Sequence, residues 1–322
     1  MDHASGGERE LAMIRASIDI GTNSVLLLVA ELKNGEVTVI REEQRIPRLG
    51  KGVDLNGNLS LSAQERVLAN LEEYRQILEH HYPETSEQVI VTATSAVRDA
   101  SNRKEFMDAI RKQTGWETVL LSGDDEARTT YSGALAVLPG DESGIPCTVL
   151  DIGGGSTEFA SGIGTALYDW KSLDMGSVRF TERFLKSNPP SKAEVERASE
   201  AAGKMLETWQ PNPQKITKLI GVAGTVTSMA GIHLNLQEYD IDRINGHTLP
   251  LEYVKEMIGV FCTMETEKIE KKYPVFLTGR ADVITGGLII LAKVMDYFSV
   301  GEITVSTGGI RHGILLDPKF ME

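Results

Sequence analysis

Two short segments share a spacing that suits an anionic ligand: Asp19-Ile-Gly-Thr-Asn-Ser24 and Asp151-Ile-Gly-Gly-Gly-Ser156, each an acid followed by glycine and a hydroxyl. Glycine lets backbone N–H groups approach a ligand without a Cβ in the way, and serine or threonine adds a hydroxyl donor. Gly21, Thr22, Asn23 and Ser24, with Gly153, Gly154, Gly155 and Ser156, are therefore candidate phosphate-cradling residues. Neither segment is a Walker loop, because Gly-x-x-x-x-Gly-Lys-Ser/Thr occurs nowhere in the chain. Acids among such loops repel a phosphate unless a cation intervenes. Asp151 and Glu158 are hard oxygen ligands suited to Mg²⁺, so charge balance implies magnesium.

Hydrolysis of a phosphoanhydride also needs a group that orients water or takes its proton. Ser122-Gly-Asp-Asp-Glu126-Ala-Arg128 opens a helix, and Ser122 with Asp125 suits its cap. Glu126 is the candidate base. Arg128 is open to two readings, a structural ion-pair partner or a substrate contact. Arg98, after the Thr/Ser-rich stretch Thr92-Ala-Thr-Ser-Ala-Val97, is the candidate cation for phosphate oxygens. Arg45, Arg48 and Lys51, expected in the loop after the third strand, suit either an anion or a solvated surface.

Composition narrows the class. The 322 residues carry 33 Lys+Arg against 46 Asp+Glu, a formal charge of −13, which counts against duplex-DNA binding and against adhesion to an anionic membrane. Only Cys147 and Cys262 occur, with no CxxC spacing, which argues against a disulfide scaffold or structural zinc and for a reducing cytoplasm. No HExxH and no Gly-x-Ser-x-Gly elbow is present. The acid- and glycine-bearing start, Met1 to Glu10, reads as a loose leader rather than a signal peptide. The most apolar long stretch, Val283 to Phe298, is interrupted by Gly286, Gly287, Lys293 and Asp296, so a soluble protein is expected.

The elements that must position these residues follow from periodicity. Ser17 to Ala30 reads as strand, glycine turn, strand, and Asn34-Gly35 as a hairpin turn into a third strand over Glu36 to Arg41. Val67, Leu68, Leu71, Tyr74, Ile77 and Leu78 have the spacing of an amphipathic helix over Ser62 to His81. A strand at Gln88 to Ala93, a helix at Arg103 to Thr114 and a strand at Glu117 to Leu121 complete an α/β unit. The pattern then restarts. Both the Asp pair and the Ser pair of the two glycine segments lie 132 residues apart (151 − 19 and 156 − 24), which marks an internal duplication. Downstream, strands are expected at Ile216 to Val222 and Glu302 to Ser306, and helices over Leu251 to Met264 and Arg280 to Phe298. Gly221-Val-Ala-Gly-Thr225 and Thr307-Gly-Gly309 add two more glycine turns at strand ends, so a cleft lined by backbone amides is expected.

These segments, in order, resemble one family. Asp19 to Ser24, Leu49-Gly-Lys-Gly52, Thr94-Ser-Ala-Val-Arg98, Ser122 to Arg128, Asp151 to Glu158, Gly221 to Thr225 and Ser306-Thr-Gly-Gly-Ile-Arg-His-Gly313 are similar to the motifs of the exopolyphosphatase and guanosine pentaphosphate phosphohydrolase (Ppx/GppA) family. The resemblance implies two duplicated ribonuclease-H-like α/β domains of the actin-like ATPase superfamily around a cleft. The division it suggests is residues 1–122 and 123–307, with a C-terminal helix in 308–322 returning to the first domain. It also implies Mg²⁺-dependent release of the terminal phosphate of inorganic polyphosphate or, alternatively, of the 5′ γ-phosphate of pppGpp to give the tetraphosphate. By motif, Glu126 with Arg98 is implied in catalysis, Asp151 and Glu158 in metal binding, and the two glycine segments in holding the scissile phosphate.

The chain ends soon after Arg311-His-Gly313 and resembles the short, two-domain members, which carry no helical extension for long polymer. Two further classes are weighed: an ATP-dependent small-molecule kinase on the same fold, and a nucleotide-binding regulator without turnover. No nucleic-acid or membrane partner is expected. A homodimer is the default expectation for a soluble enzyme.

Overall fold

Ile18, Ile20, Val25, Leu27 and Leu28 are β-branched or apolar and have no exposed surface, and the Gly/Ser turn between them reverses the chain as a hairpin. The computed structural model describes residues 12–33, 35–86, 88–140, 144–209 and 218–320; the leader, Asn34 and residues 216–217 of the expected strand lie outside them. The chain begins with β1 (Met13–Ile20), β2 (Val25–Lys33), β3 (Glu36–Arg45), α1 (Val53–Asn56) and α2 (Leu61–His81). It continues with β4 (Ile90–Ala93), α3 (Ser95–Asp99), α4 (Arg103–Thr114), β5 (Thr118–Leu120) and α5 (Gly123–Ala136). A second series follows: β6 (Pro146–Ile152), β7 (Thr157–Ile163), β8 (Ala166–Leu173), α6 (Ser177–Phe184), α7 (Lys192–Glu207), β9 (Lys218–Val222) and α8 (Ala223–His233). It closes with α9 (Ile241–Ile244), β10 (Thr248–Pro250), α10 (Leu251–Phe261), α11 (Thr266–Lys272), α12 (Pro274–Leu277), α13 (Ile284–Phe298), β11 (Glu302–Val305) and α14 (Ile310–Leu316).

The strands make two sheets, ordered β3-β2-β1-β4-β5 and β10-β11-β9-β6-β7-β8. Without β10, the second sheet reads β8-β7-β6-β9-β11 and repeats the first strand for strand. In each, an antiparallel three-strand meander is followed by two parallel strands. The architecture is thus a duplicated ribonuclease-H-like α/β unit, and the paired glycine segments occupy the same hairpin in each copy.

Both sheets are covered on both faces, which suits their parallel strands. One face of the first packs on α2 and α4 through Val67, Leu71, Tyr74, Phe106 and Ile110. One face of the second packs on α7, α10 and α13, the last of which is buried on nearly every side. On the opposite faces, Ala127, Tyr131 and Ala134 of α5 cover Val149, Ala160 and Ile220, and Ile314 and Leu315 of α14 cover Leu28 and Ala30. The two covering helices also touch one another. A Cβ on Gly133 would lie 2.6 Å from the Gly313 amide nitrogen, so only glycine permits this crossing.

Several element boundaries differ from the sequence reading. β3 runs to Arg45 rather than Arg41, because a bulge at Val29/Ala30 restores pairing with β2 as far as Val25↔Arg45. Arg45 is consequently a strand residue, paired with Glu43 and Glu73. The helix expected from Arg280 begins at Ile284, and the preceding turn is closed by the Val283 N–H donating to the Arg280 carbonyl. α10 stops at Phe261, three residues short of Met264, where 3.1 and 3.2 Å turn bonds take over. Among the described residues, no helix is long and apolar enough to cross a membrane.

Candidate active site

The duplicated hairpins bring their glycine turns to one cavity of about 420 Å³. In each, the glycine amide donates to the serine carbonyl, Gly21 to Ser24 at 2.9 Å and Gly153 to Ser156 at 3.0 Å. The Gly224-Thr225 and Thr307 to Gly309 turns line the same space, so all four strand-end turns meet there. The two main loops touch: Gly154 packs so closely on Thr22 that a Cβ would lie 2.7 Å from the threonine Cβ. Gly155 faces Ser95 and Thr22 and is not among the residues lining the cavity, so its close packing, rather than an exposed amide surface, accounts for the absent side chain.

Four acids, Asp19, Asp151, Glu126 and Glu158, converge on the cavity, and Glu42 and Glu43 of β3 also line it. The first two sit one residue before the ends of β1 and β6, and Asp151 lies directly opposite Glu158 across the hairpin. Glu126 faces inward from the first turn of α5, whereas Asp125 is exposed and its N–H donates to the capping Ser122 Oγ at 3.1 Å. Ser122 Oγ in turn donates to Asp125 Oδ2, so Ser122 and Asp125 do serve the cap and Glu126 is left for the cavity.

Burial dominates the electrostatics. It pushes the Asp19 carboxyl up to about 7, with the Asp151 charge adding to the effect. Asp151 rises to about 6 through burial, against an opposing contact from Thr130 Oγ1. Glu158 rises to about 8 through burial and then Asp151, although Ser172 Oγ donates to it at 2.7 Å. Glu126 is driven well above the usual carboxylate range by burial and then Glu158, with Arg98 acting in the other direction. Unrelieved, this concentration of negative charge binds protons. A divalent cation would relieve it.

The donor set fits such an ion, since all four groups are hard carboxylate oxygens. Among the described residues no group of three or more His, Cys, Asp or Glu side chains is placed to hold a metal ion by itself. Mg²⁺ commonly takes one or two carboxylates and completes its shell with water and substrate phosphate, which matches an open set of acids in a cavity.

The cations are arranged differently from the sequence expectation. Arg98 does not line the cavity; it forms an ion pair with Glu126 and donates to the Leu121 carbonyl at 3.0 Å. Its nearest effect is on the acid. Arg48 pairs with Asp282, Lys51 is exposed, and Arg128 stacks over Trp170 at 3.9 Å, which is neither of the roles considered for it. Two arginines of the lining had no assigned role. Arg311 pairs with Glu42 at 2.8 Å. Arg280 is 9% exposed, has no carboxylate partner among the described residues, and lies against Gly224, where any side chain would collide with its guanidinium. Burial lowers its pKa, so an anion that reached it would relieve a real electrostatic cost. Asp19 was also unassigned, though its place in the repeat matches Asp151.

Comparison with known proteins agrees with this geometry. The model of the Ppx/GppA phosphatase family matches residues 28–319. The chain is 34% identical over 320 residues to exopolyphosphatase 2 of Mycobacterium tuberculosis, covering 94% of this chain and 97% of that protein. It is also 34% identical to a bifunctional 3-dehydroquinate synthase/phosphatase of Fusobacterium nucleatum, over 94% of this chain but only 46% of that protein, so it spans about half of that relative's length. The crystal structure of the Aquifex aeolicus Ppx/GppA family member superposes with a TM-score of 0.78 at 32% identity, covering 95% of this chain and 97% of that one. With a family match over nearly its whole length and a duplicated, acid-lined cleft to go with it, the chain belongs to the Ppx/GppA phosphatase family.

Proposed function

We propose that the protein is an exopolyphosphatase, which hydrolyses the terminal phosphoanhydride of inorganic polyphosphate and releases orthophosphate. The observation that carries this reading is Glu126, a buried carboxylate of raised basicity held by Arg98 at the junction of two glycine loops. The terminal phosphoryl group rests on the amides and hydroxyls of Gly21 to Ser24 and of Gly153, Gly154 and Ser156. Arg280 binds oxygens of the chain behind it. Glu126 orients a water molecule and accepts its proton as the water oxygen bonds to phosphorus. The bridging oxygen departs with the shortened chain. Asp151 and Glu158 would hold Mg²⁺, whose chemistry here would be to neutralise phosphate charge.

A side-by-side phosphate-release assay with short polyphosphate, long polyphosphate, pppGpp and ATP, with and without Mg²⁺, tests the reading. Short polyphosphate should be turned over. Glu126→Gln should reduce kcat by about 10²- to 10⁴-fold with the fold intact by circular dichroism. Undiminished release in that variant would remove Glu126 from its role, and a stronger response to pppGpp than to polyphosphate would reassign the substrate.

A further inference from the structure

One face of α6 is fastened to the other half of the molecule. Arg179, Glu182 and Arg183 are spaced three and four apart, and all three reach the turn that carries α1. The Gly52 N–H donates to Glu182 Oε1 at 2.8 Å, and Arg183 grips Asp54 through Nε at 2.7 Å and Nη2 at 2.6 Å. Arg179 makes the most consequential set. Its Nη1 donates to Asp54 Oδ1 at 2.5 Å, its Nη2 to Asp99 Oδ2 at 2.5 Å, and its Nε to the Gly155 carbonyl at 2.6 Å. One guanidinium thus joins α1, α3 and the second glycine loop. Its side chain is 12% exposed and that of Asp54 is 10% exposed, so water competes poorly for these bonds.

Both glycine loops hang on this assembly. The amides of Ser177 and Val178 at the start of α6 donate to the Gly153 and Gly154 carbonyls at 2.9 Å each. On the other side, the turn before α1 holds the first loop, with Gly50 N–H on the Thr22 carbonyl at 2.8 Å and Arg48 N–H on the Asn23 carbonyl at 3.0 Å. A planar trans peptide ties the direction of one group to the other, so fixing the Gly155 carbonyl fixes the Ser156 N–H, and Ser156 lines the cavity.

We propose that Arg179 is a positioning residue that makes correct assembly of the second glycine loop conditional on closure of the cleft. When the halves part, the guanidinium loses Asp54 and Asp99, and nothing then holds its Nε in the plane that the Gly155 carbonyl needs. When they meet, three bonds form together and both loops take up their spacing. This rests on the reading that the loops hold the terminal phosphate, but its structural part stands by itself.

The test compares wild-type protein with Arg179→Ala, Arg179→Lys, Asp54→Asn and the Arg179→Ala/Asp54→Asn double variant. Each is assayed on short polyphosphate with Mg²⁺ and by hydrogen–deuterium exchange. Arg179→Ala should lower kcat by about 10- to 100-fold, the scale of an ångström of misplacement, with KM changed less than about threefold. Arg179→Lys, with one ammonium for three separated acceptors, should recover only a few-fold. The double variant should be within about twofold of Arg179→Ala, because both changes break one device. Exchange should rise at 50–54 and 153–156 and stay unchanged in α7 and α13. Wild-type kcat in Arg179→Ala, multiplicative losses in the double variant, or unchanged exchange at 153–156 would each overturn the proposal. If wild-type protein released no phosphate from any substrate, the functional reading would fail, and the exchange data would still decide the coupling.

Discussion

Glu126 and Arg280 sit in opposite electrical situations within one cavity. Glu126 has a cation beside it and two acids, Glu158 and Asp151, acting on it, so its problem is excess negative charge. Arg280 is buried with no carboxylate partner among the described residues, so its problem is unanswered positive charge. A phosphate chain would relieve the second and, with a divalent ion, the first. Arg280→Ala should therefore weaken binding more than turnover, raising KM for short polyphosphate by about 10- to 100-fold, as for loss of a charge-assisted contact of about 1.5–3 kcal/mol. Steady-state kinetics decide this: an unchanged KM would leave Arg280 a packing residue of the Gly224 turn. The acids were legible because they stand in repeated motifs. Arg280 was not, because its sequence pattern places it at the start of a helix and its significance depends on its contact with Gly224, distant in sequence. For Arg98 the structure shows an ion pair with Glu126, and from sequence nothing distinguishes an arginine facing phosphate from one facing that acid.

At the scale of elements, the two hairpin turns were readable because glycine and serine at fixed offsets from an acid leave the backbone few options. β8, α6 and α7 were passed over, for different reasons. α6 has eight residues, too few for periodicity to assert itself. α7 announces itself through Ser191-Lys-Ala-Glu194, a capping box in which Ser191 Oγ accepts the Glu194 N–H and Glu194 accepts the Ser191 N–H at 2.8 Å. Glu194 also accepts from the Lys186 N–H at 2.8 Å and from Ser187 Oγ. Donation from Ser187 first, then from the Ser191 backbone, holds its carboxyl far below the usual range. A carboxyl depressed on folding adds stability above its unfolded value near 4.5, and that stability is lost as pH falls through the interval toward the folded value. Glu194→Gln should thus cost about 2 kcal/mol at pH 7 and progressively less below pH 4.5. Thermal melts across pH 3–7 test this; an equal deficit at every pH would contradict it. Gly154→Ala acts on the other hairpin. Its new methyl would meet Thr22, so the loops must separate, and kcat/KM should fall at least about tenfold with less than about 2 kcal/mol lost in stability.

For the molecule as a whole, the formal charge of −13 opposes any polyanion approaching from a distance. Capture must be local, through the loops, Arg280 and the proposed Mg²⁺. Short polyphosphate added to Glu126→Gln, which should bind without consuming it, should raise the melting temperature only when Mg²⁺ is present. At a hundredfold excess over Kd the expected gain is about 2.7 kcal/mol, and EDTA should abolish it. A shift that survives EDTA would show that protein groups alone suffice. The duplication itself has a further consequence. The register that places Glu158 opposite Asp151 in one hairpin places Leu26 opposite Asp19 in the other, and both residues face the cavity. The two hairpins are therefore not equivalent at this pair of positions. A duplicated fold thus need not give a duplicated site: of these two corresponding positions, only the one in the second hairpin carries a carboxylate, Glu158.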